Sequence, residues 1–212
     1  MVQPVIYFLV ALQFLTISPA WIRRAFTPVE MGRSTAFFPV VGGLVGVLLL
    51  AASLLLDQVF PPLVRAGLTL ALWIGLSGGL HLDGFLDSCD GLLGGFTPES
   101  RLEIMKDERV GAFAFAGGFV LLALKFAALS SLPAGTIALL LAPVLGRWAM
   151  SVAIYVFPYA REKGLGRAMK DHTTARQVII SSLLMLVLVV GAAGWRGLAA
   201  AGAAALLMGL AA

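Results

Sequence analysis

Apolar runs of membrane-spanning length alternate along this chain with short polar stretches. Residues 35–56, 60–80, 110–129, 134–157 and 178–194 are the clearest runs; 4–18 is shorter, and 197–212 is rich in Ala and Gly. About 20 apolar residues in helical form cross the hydrocarbon core of a bilayer, and a backbone in lipid must satisfy its hydrogen bonds internally. The pattern therefore predicts an all-α fold: a polytopic integral membrane helical bundle of six to seven transmembrane helices. No polar linker of domain size interrupts it, so residues 1–212 are expected to form a single integral membrane domain. Composition agrees, with 60% hydrophobic and 12% charged residues and a mean hydropathy of +0.98. The N-terminus lacks the positive n-region of a secretory signal, so the first segment is expected to be retained.

Charge adds an orientation. Eleven of the fifteen Lys and Arg fall in three alternate connections. Residues 19–34 carry Arg23, Arg24 and Arg33; 78–109 carry Arg101, Lys106 and Arg109; 158–177 carry Arg161, Lys163, Arg167, Lys170 and Arg176. Excess Lys and Arg mark cytoplasmic loops, which places these three inside and the N-terminus outside. Ten of the eleven acids lie there too, Asp57 being the exception. The net charge of +4 suits an anionic leaflet or phosphorylated substrates. It lacks the dense basic stripe of a nucleic-acid surface, so no nucleic-acid partner is expected.

One stretch stands apart. Seven of the eleven acids are crowded into 78–109, where a membrane setting makes each costly unless compensated. If residues 82–91 are helical, Asp83, Asp87 and Asp90 stand at i, i+4 and i+7, within roughly a 60° arc. Three acids on one stripe repel unless a cation or basic partner intervenes. Thr97-Pro98-Glu99 is a helix start, with Thr as N-cap and Pro at the first position. A helix over about 98–109 would present Glu103, Lys106 and Asp107 on one side. Oxygen-only ligation favours a hard cation, Mg2+ first and Mn2+ second. Together with Lys106, Arg109 and the basic 158–176 loop, the set looks like phosphoryl-transfer machinery.

The remaining polar residues divide. His81 is open between ligand, general base and interfacial hydrogen-bonder, with Gly78-Gly79 poised to break the helix before it. Arg147, inside the fifth run, should face the interior or a wet cavity, with a carboxylate or a substrate phosphate as partner. Glu99 and Glu108 read as solvated loop acids, and Asp171 and His172 as surface residues. Cys89 reads as a small filler between aspartates, and Gly42-Gly43 and Gly117-Gly118 as close helix-packing points. No internal repeat is visible.

Several stretches carry a resemblance to the cobalamin synthase family, adenosylcobinamide-GDP ribazoletransferase. They are residues 11–16, Gly32-Arg33-Ser34 with Phe37-Phe38-Pro39, the run from Gly78 to Gly84, and Asp87-x-x-Asp90-Gly91. Glu103 to Asp107 with Arg109 and Gly111, Leu145 to Trp148, Pro158 to Arg161, and Gly164 to Arg167 complete the match. The likeness runs almost end to end.

It implies a Mg2+-dependent transferase in the cytoplasmic (inner) membrane of a bacterium or archaeon, with its site on the cytoplasmic face. The implied partners are adenosylcobinamide-GDP, α-ribazole or its 5′-phosphate, and the lipid bilayer; a homo-oligomer is left open. The resemblance further implies that Asp83, Asp87 and Asp90 hold metal and diphosphate. Asp107 and Glu103 would complete the shell or take a proton, and Lys106, Arg109, Arg147, Arg161 and Arg167 would steady phosphates. Family members continue past the seventh run into a further acidic motif, so a C-terminal segment usual in the family is expected to be missing here.

Three rivals fit less well. A CDP-alcohol phosphotransferase carries an Ala-Arg after its first Asp-Gly, which this chain lacks. A prenyltransferase wants two Asp-rich motifs. A divalent-cation transporter predicts acids in mid-span and internal symmetry.

Overall fold

A computed structural model describes residues 3–161 and 164–210; Glu162, Lys163 and the two residues at each end of the chain lie outside them. The described residues form helices and connections with no strand, as an all-α fold requires. The helices are α1 (Gln3–Leu15), α2 (Pro28–Ser34), α3 (Phe38–Asp57), α4 (Pro62–Leu76), α5 (Leu80–Gly94), α6 (Pro98–Ile104), α7 (Ala112–Ser131), α8 (Ala138–Val156), α9 (Leu165–His172) and α10 (Ala175–Leu210). Packing gathers them into two compact units, Met1–Leu54 with Gly135–Ala212, and Leu55–Ala134.

Four helical stretches among the described residues are long and apolar enough to cross a membrane: Pro28–Asp57, Ala112–Ser131, Ala138–Val156 and Ala175–Leu210. Only 17% of the α7 window is buried, so its apolar surface needs lipid rather than protein as its surroundings. The chain is therefore an integral membrane protein. The expected six to seven spans are not reproduced, and the reasons are local. The first apolar run is helical for only 13 residues, about 20 Å at 1.5 Å per residue. The third is α4, which meets α5 at a bend of 88°; counted together they make a fifth candidate span.

The sixth and seventh runs are joined in α10, but Gly194 takes φ 55 and ψ −133 inside it. A Cβ on Gly197 would lie 2.0 Å from the Val189 carbonyl oxygen. Eight residues apart, these positions would stand about 12 Å from one another in a straight helix, so the chain doubles back at Gly194. The returning arm contributes Ala201 to a core with Val144, Trp148, Met185 and Val189.

Elsewhere in the first unit, a second core joins α1, α2, α3 and α9 through Val10, Leu15, Met31, Phe38, Val41 and Met169. The helix α2 starts with a complete capping box between Thr27 and Glu30. The Glu30 carboxylate also accepts two hydrogen bonds from Arg24, at 2.8 and 2.6 Å. Helices α3 and α8 cross at bare backbone: a Cβ on Gly42 would fall 2.5 Å from the Pro143 carbonyl oxygen, and one on Gly46 2.8 Å from Leu140 Cα. At this crossing Gly42 has the close-packing role expected of it, and its neighbour Gly43 does not.

In the second unit, the buried Arg65 of α4 resolves the isolated acid Asp57. One guanidinium nitrogen donates to Asp57 Oδ1 at 2.6 Å and another to the Leu132 carbonyl at 2.7 Å. Three chain segments are thus tied at one end of the unit, and the charge is paired, as a buried charge must be.

The crossing of α3 and α8 gives a differential test. Gly42→Ala should lower stability in detergent by about 1–3 kcal/mol, the usual cost of overpacking. A Cβ on Gly43 would meet only side-chain atoms at ordinary distances, Leu188 at 3.6 Å and Val144 at 3.8 Å, so Gly43→Ala should leave the thermal midpoint unchanged.

Candidate active site

Gly78 and Gly79 adopt φ 58 and 74, left-handed values that glycine takes without steric cost, and this ends α4. His81 follows in the first turn of α5, so the break expected before it is present. Down α5, Asp83, Asp87 and Asp90 occupy one stripe. The flank of α5 that carries Leu86 and Cys89 packs on α7 where that helix has no side chains: a Cβ on Gly117 would lie 2.5 Å from Cys89 Sγ, and one on Gly118 2.6 Å from Leu86 Cδ2. Both glycine-packing and filler roles read from the sequence hold for this crossing.

After α5 the chain reverses. Thr97 and Ser100 form a capping box and Pro98 opens α6, the start expected from sequence. Gly91 and Gly95 admit α6 against α5, since a Cβ on them would meet Met105 Cγ and Arg101 Cγ at 2.5 Å. The end of α6 differs from the expectation. It stops at Ile104 rather than continuing to 109. Asp107 Oδ1 accepts the Arg109 backbone N–H at 3.1 Å, a local side-chain turn that competes with helix. Lys106 and Asp107 consequently sit on a loop and not on a helical face with Glu103.

This loop closes over the aspartate stripe. Asp83, Asp87 and Asp90 line one cavity of about 220 Å3 together with Lys106, Asp107 and Arg109. Glu108, taken from sequence as a solvated loop acid, is part of the same wall. The Arg109 guanidinium grips Asp107 with two nitrogens, at 3.0 and 2.7 Å. That side-chain bond, followed by the backbone bond from Arg109, holds the Asp107 carboxyl down at about 2.

Asp90 has a further task that the sequence does not show. Its Oδ2 accepts the Gly111 N–H at 2.7 Å and its Oδ1 the Ala114 N–H at 2.8 Å. These are orphan donors of the first turn of α7, and Gly111, the N-cap, offers no side chain of its own. A carboxylate from another helix caps α7 and meets the positive end of its dipole. A Cβ on Gly111 would lie 2.6 Å from Asp90 Oδ1, which is why glycine stands there.

The other expected site residues lie elsewhere. His81 and Glu103 are not in the cavity wall. Arg147, Arg161 and Arg167 belong to the first unit. Arg167 pairs with Asp171 one turn along α9, at 3.0 Å. Arg147 is 6% exposed, and among the described residues its Nε and Nη2 find no hydrogen-bond acceptor. Among the described residues, no three His, Cys, Asp or Glu side chains stand close enough to hold an ion between them. As placed, Asp90 serves α7 and Asp107 serves Arg109.

With this geometry in hand, comparison with known proteins decides the family. The profile of the cobalamin-5-phosphate synthase family matches residues 7–212. The chain belongs to the cobalamin-5-phosphate synthase family. A relative from Pseudomonas savastanoi, named adenosylcobinamide-GDP ribazoletransferase, is 45% identical over 91% of this chain and 80% of its own length. Relatives of the same name from Ectopseudomonas mendocina and Desulfitobacterium hafniense are 49% and 42% identical. They cover 80% and 90% of this chain, and 70% and 78% of their own lengths. No solved structure matches. The resemblance drawn from the 78–111 block is borne out. As a member of the cobalamin-5-phosphate synthase family the chain is an enzyme, which removes the transporter reading.

Two outcomes follow from the cavity wall. Asp90→Ala should cost about 1–2 kcal/mol of stability, the scale of a lost N-cap, in thermal unfolding in detergent. Asp83→Ala, at an exposed position, should cost far less. Asp107 should titrate near 2 instead of its ordinary 3.8. Because its folded value is depressed, the pair with Arg109 is complete above about pH 4 and is lost only as pH falls towards 2. Carboxyl 13C NMR of aspartate-labelled protein, with Asp107→Asn to assign the signal, checks this.

Proposed function

We propose that this chain joins α-ribazole, or its 5′-phosphate, to adenosylcobinamide-GDP with release of GMP, in the assembly of the cobalamin nucleotide loop. In this reaction the ribose 3′-hydroxyl oxygen attacks the phosphorus next to cobinamide. A new P–O bond forms, the bond to the departing phosphate breaks, GMP leaves with that electron pair, and the hydroxyl proton passes to a base. The observation that carries the proposal is the meeting of acids and cations in one cavity, in a chain of this family.

The residues divide the work. Lys106 and Arg109 offer N–H donors to phosphate oxygens, and Arg109 is oriented by Asp107 in advance. Asp107 is a poor base while Arg109 holds it near 2, which shifts the proton-accepting role towards the acids of the α5 stripe. Glu103 and His81 have no place in this cavity and serve outside it.

The donor set also fits a hard cation. Mg2+ commonly takes one or two carboxylates and completes its shell with water and phosphate oxygens. Asp83 and Asp87, one turn apart on the cavity wall, meet that demand without a third acid, and Mn2+ accepts the same donors. Bound there, the ion would polarise the diphosphate and offset the charge that develops on it. The cytoplasmic membrane of a prokaryote, with the site on its cytoplasmic side, is the setting that the loop charges support.

Release of GMP from adenosylcobinamide-GDP plus α-ribazole 5′-phosphate, by protein in detergent, is the direct test. Asp83→Asn and Asp87→Asn should each lower the rate by about 100-fold or more, the scale of losing one preorganised electrostatic group, with unchanged thermal midpoints. A chelator should stop release and added Mg2+ restore it. Full activity in both variants would sink the assignment.

A further inference from the structure

A second cavity, of about 590 Å3, opens within the first unit. Its volume lies in the range of small-molecule sites. One wall is held rigidly: a Cβ on Gly32 would fall 2.4 Å from the His172 backbone. Thr173 Oγ1 donates to both the Gly32 and Met169 carbonyls, at 3.2 and 2.8 Å. Helices α2 and α9 are thereby locked together.

The charge of the cavity is lopsided. Arg33 and Arg176 both line it, and among the described residues neither has a carboxylate partner. The one acid in the wall, Asp171, is turned to Arg167 at 3.0 Å. Arg33 is fixed instead by neutral groups. Its Nη1 donates to the Tyr7 hydroxyl at 2.9 Å, and the Tyr7 hydroxyl donates to Gln3 Oε1 at 2.5 Å. The guanidinium also lies 5.8 Å from the Tyr7 ring centre. His172 Nδ1 donates to the Ala168 carbonyl at 3.0 Å, which leaves Nε2 as the nitrogen for a ligand. Phe37, Val29 and Ile180 supply apolar wall beside these cations.

Two unneutralised guanidiniums next to an aromatic, partly apolar wall call for an anion carried on a flat organic body. We infer that this cavity binds a nucleoside 5′-phosphate, with the phosphate on Arg33 and Arg176 and the base against Tyr7 and Phe37. Resting on the reaction proposed above, its natural occupant is α-ribazole 5′-phosphate. GMP shares the chemistry and is the competing source.

The test is calorimetric titration of the full chain in detergent micelles with α-ribazole 5′-phosphate, α-ribazole, GMP and inorganic phosphate. α-Ribazole 5′-phosphate should bind more tightly than α-ribazole. Its affinity should fall about tenfold or more in the Arg33→Gln, Arg176→Gln double variant, through loss of charge-assisted hydrogen bonds. Gln177→Glu gives a second arm that keeps the fold. Gln177 Oε1 accepts from the Thr174 N–H at 3.1 Å and from its hydroxyl at 2.6 Å, and a carboxylate oxygen accepts them equally while adding a negative charge to the wall. It too should weaken binding.

Unchanged affinity in both variants would overturn the inference. GMP binding that is lost in the variants would keep the site and assign it to the leaving nucleotide. Wild-type protein that binds a nucleoside phosphate here but releases no GMP from adenosylcobinamide-GDP would remove the proposed reaction and leave the site standing. Normal turnover with variant-insensitive binding would do the reverse.

Discussion

A carboxylate placed on two backbone N–H groups at the start of another helix does more than fill their hydrogen-bonding capacity. In the second unit, Asp90 fixes the rotation of α5 about its own axis, because only one orientation brings both oxygens to Gly111 and Ala114. Once that rotation is set, Asp83 and Asp87, at i−7 and i−3 on the same stripe, share the face it turns to the loop. The bare backbone of Gly117 and Gly118 lets the flank of α5 with Leu86 and Cys89 settle on α7. The acidic cavity therefore depends on one of its acids acting as scaffold.

This division changes how the acidic cluster is understood chemically. Viewed as a row of equivalent ligands, Asp83, Asp87, Asp90 and Asp107 would crowd too much negative charge into a small volume. In the structure, Asp90 faces a helix dipole and Asp107 faces a guanidinium. Each has its charge met by the protein. Lys106 and Arg109 share the same wall and bring positive charge to it.

Much of this was legible in the sequence, for reasons that can be traced residue by residue. The α5 stripe followed from spacing alone, the start of α6 from Thr97-Pro98, and the break before His81 from paired glycines. The end of α6 was not legible, because the turn made by Asp107 and Arg109 competes with helix in a segment whose charges suit either. The capping role of Asp90 was hidden because its donors lie 21 and 24 residues away. Asp171 is exposed, as its basic loop suggested, whereas His172 is half-buried because α2 passes within contact of it at Gly32, which nothing local announces. The count of six to seven spans is not confirmed, because apolar length was read without geometry: α1 stops at Leu15, α4 gives way to a turn before it is long enough to cross, and the last two runs meet at Gly194.

That turn has a mechanical consequence. Two rods joined at 88° convert motion along one into sideways travel of the other. A displacement of α4 along its own axis carries α5 broadside, without tilting the row of acids or changing their mutual spacing. Variation in the thickness of the surrounding lipid would thus shift the acidic helix bodily, as a unit, and leave its internal geometry intact.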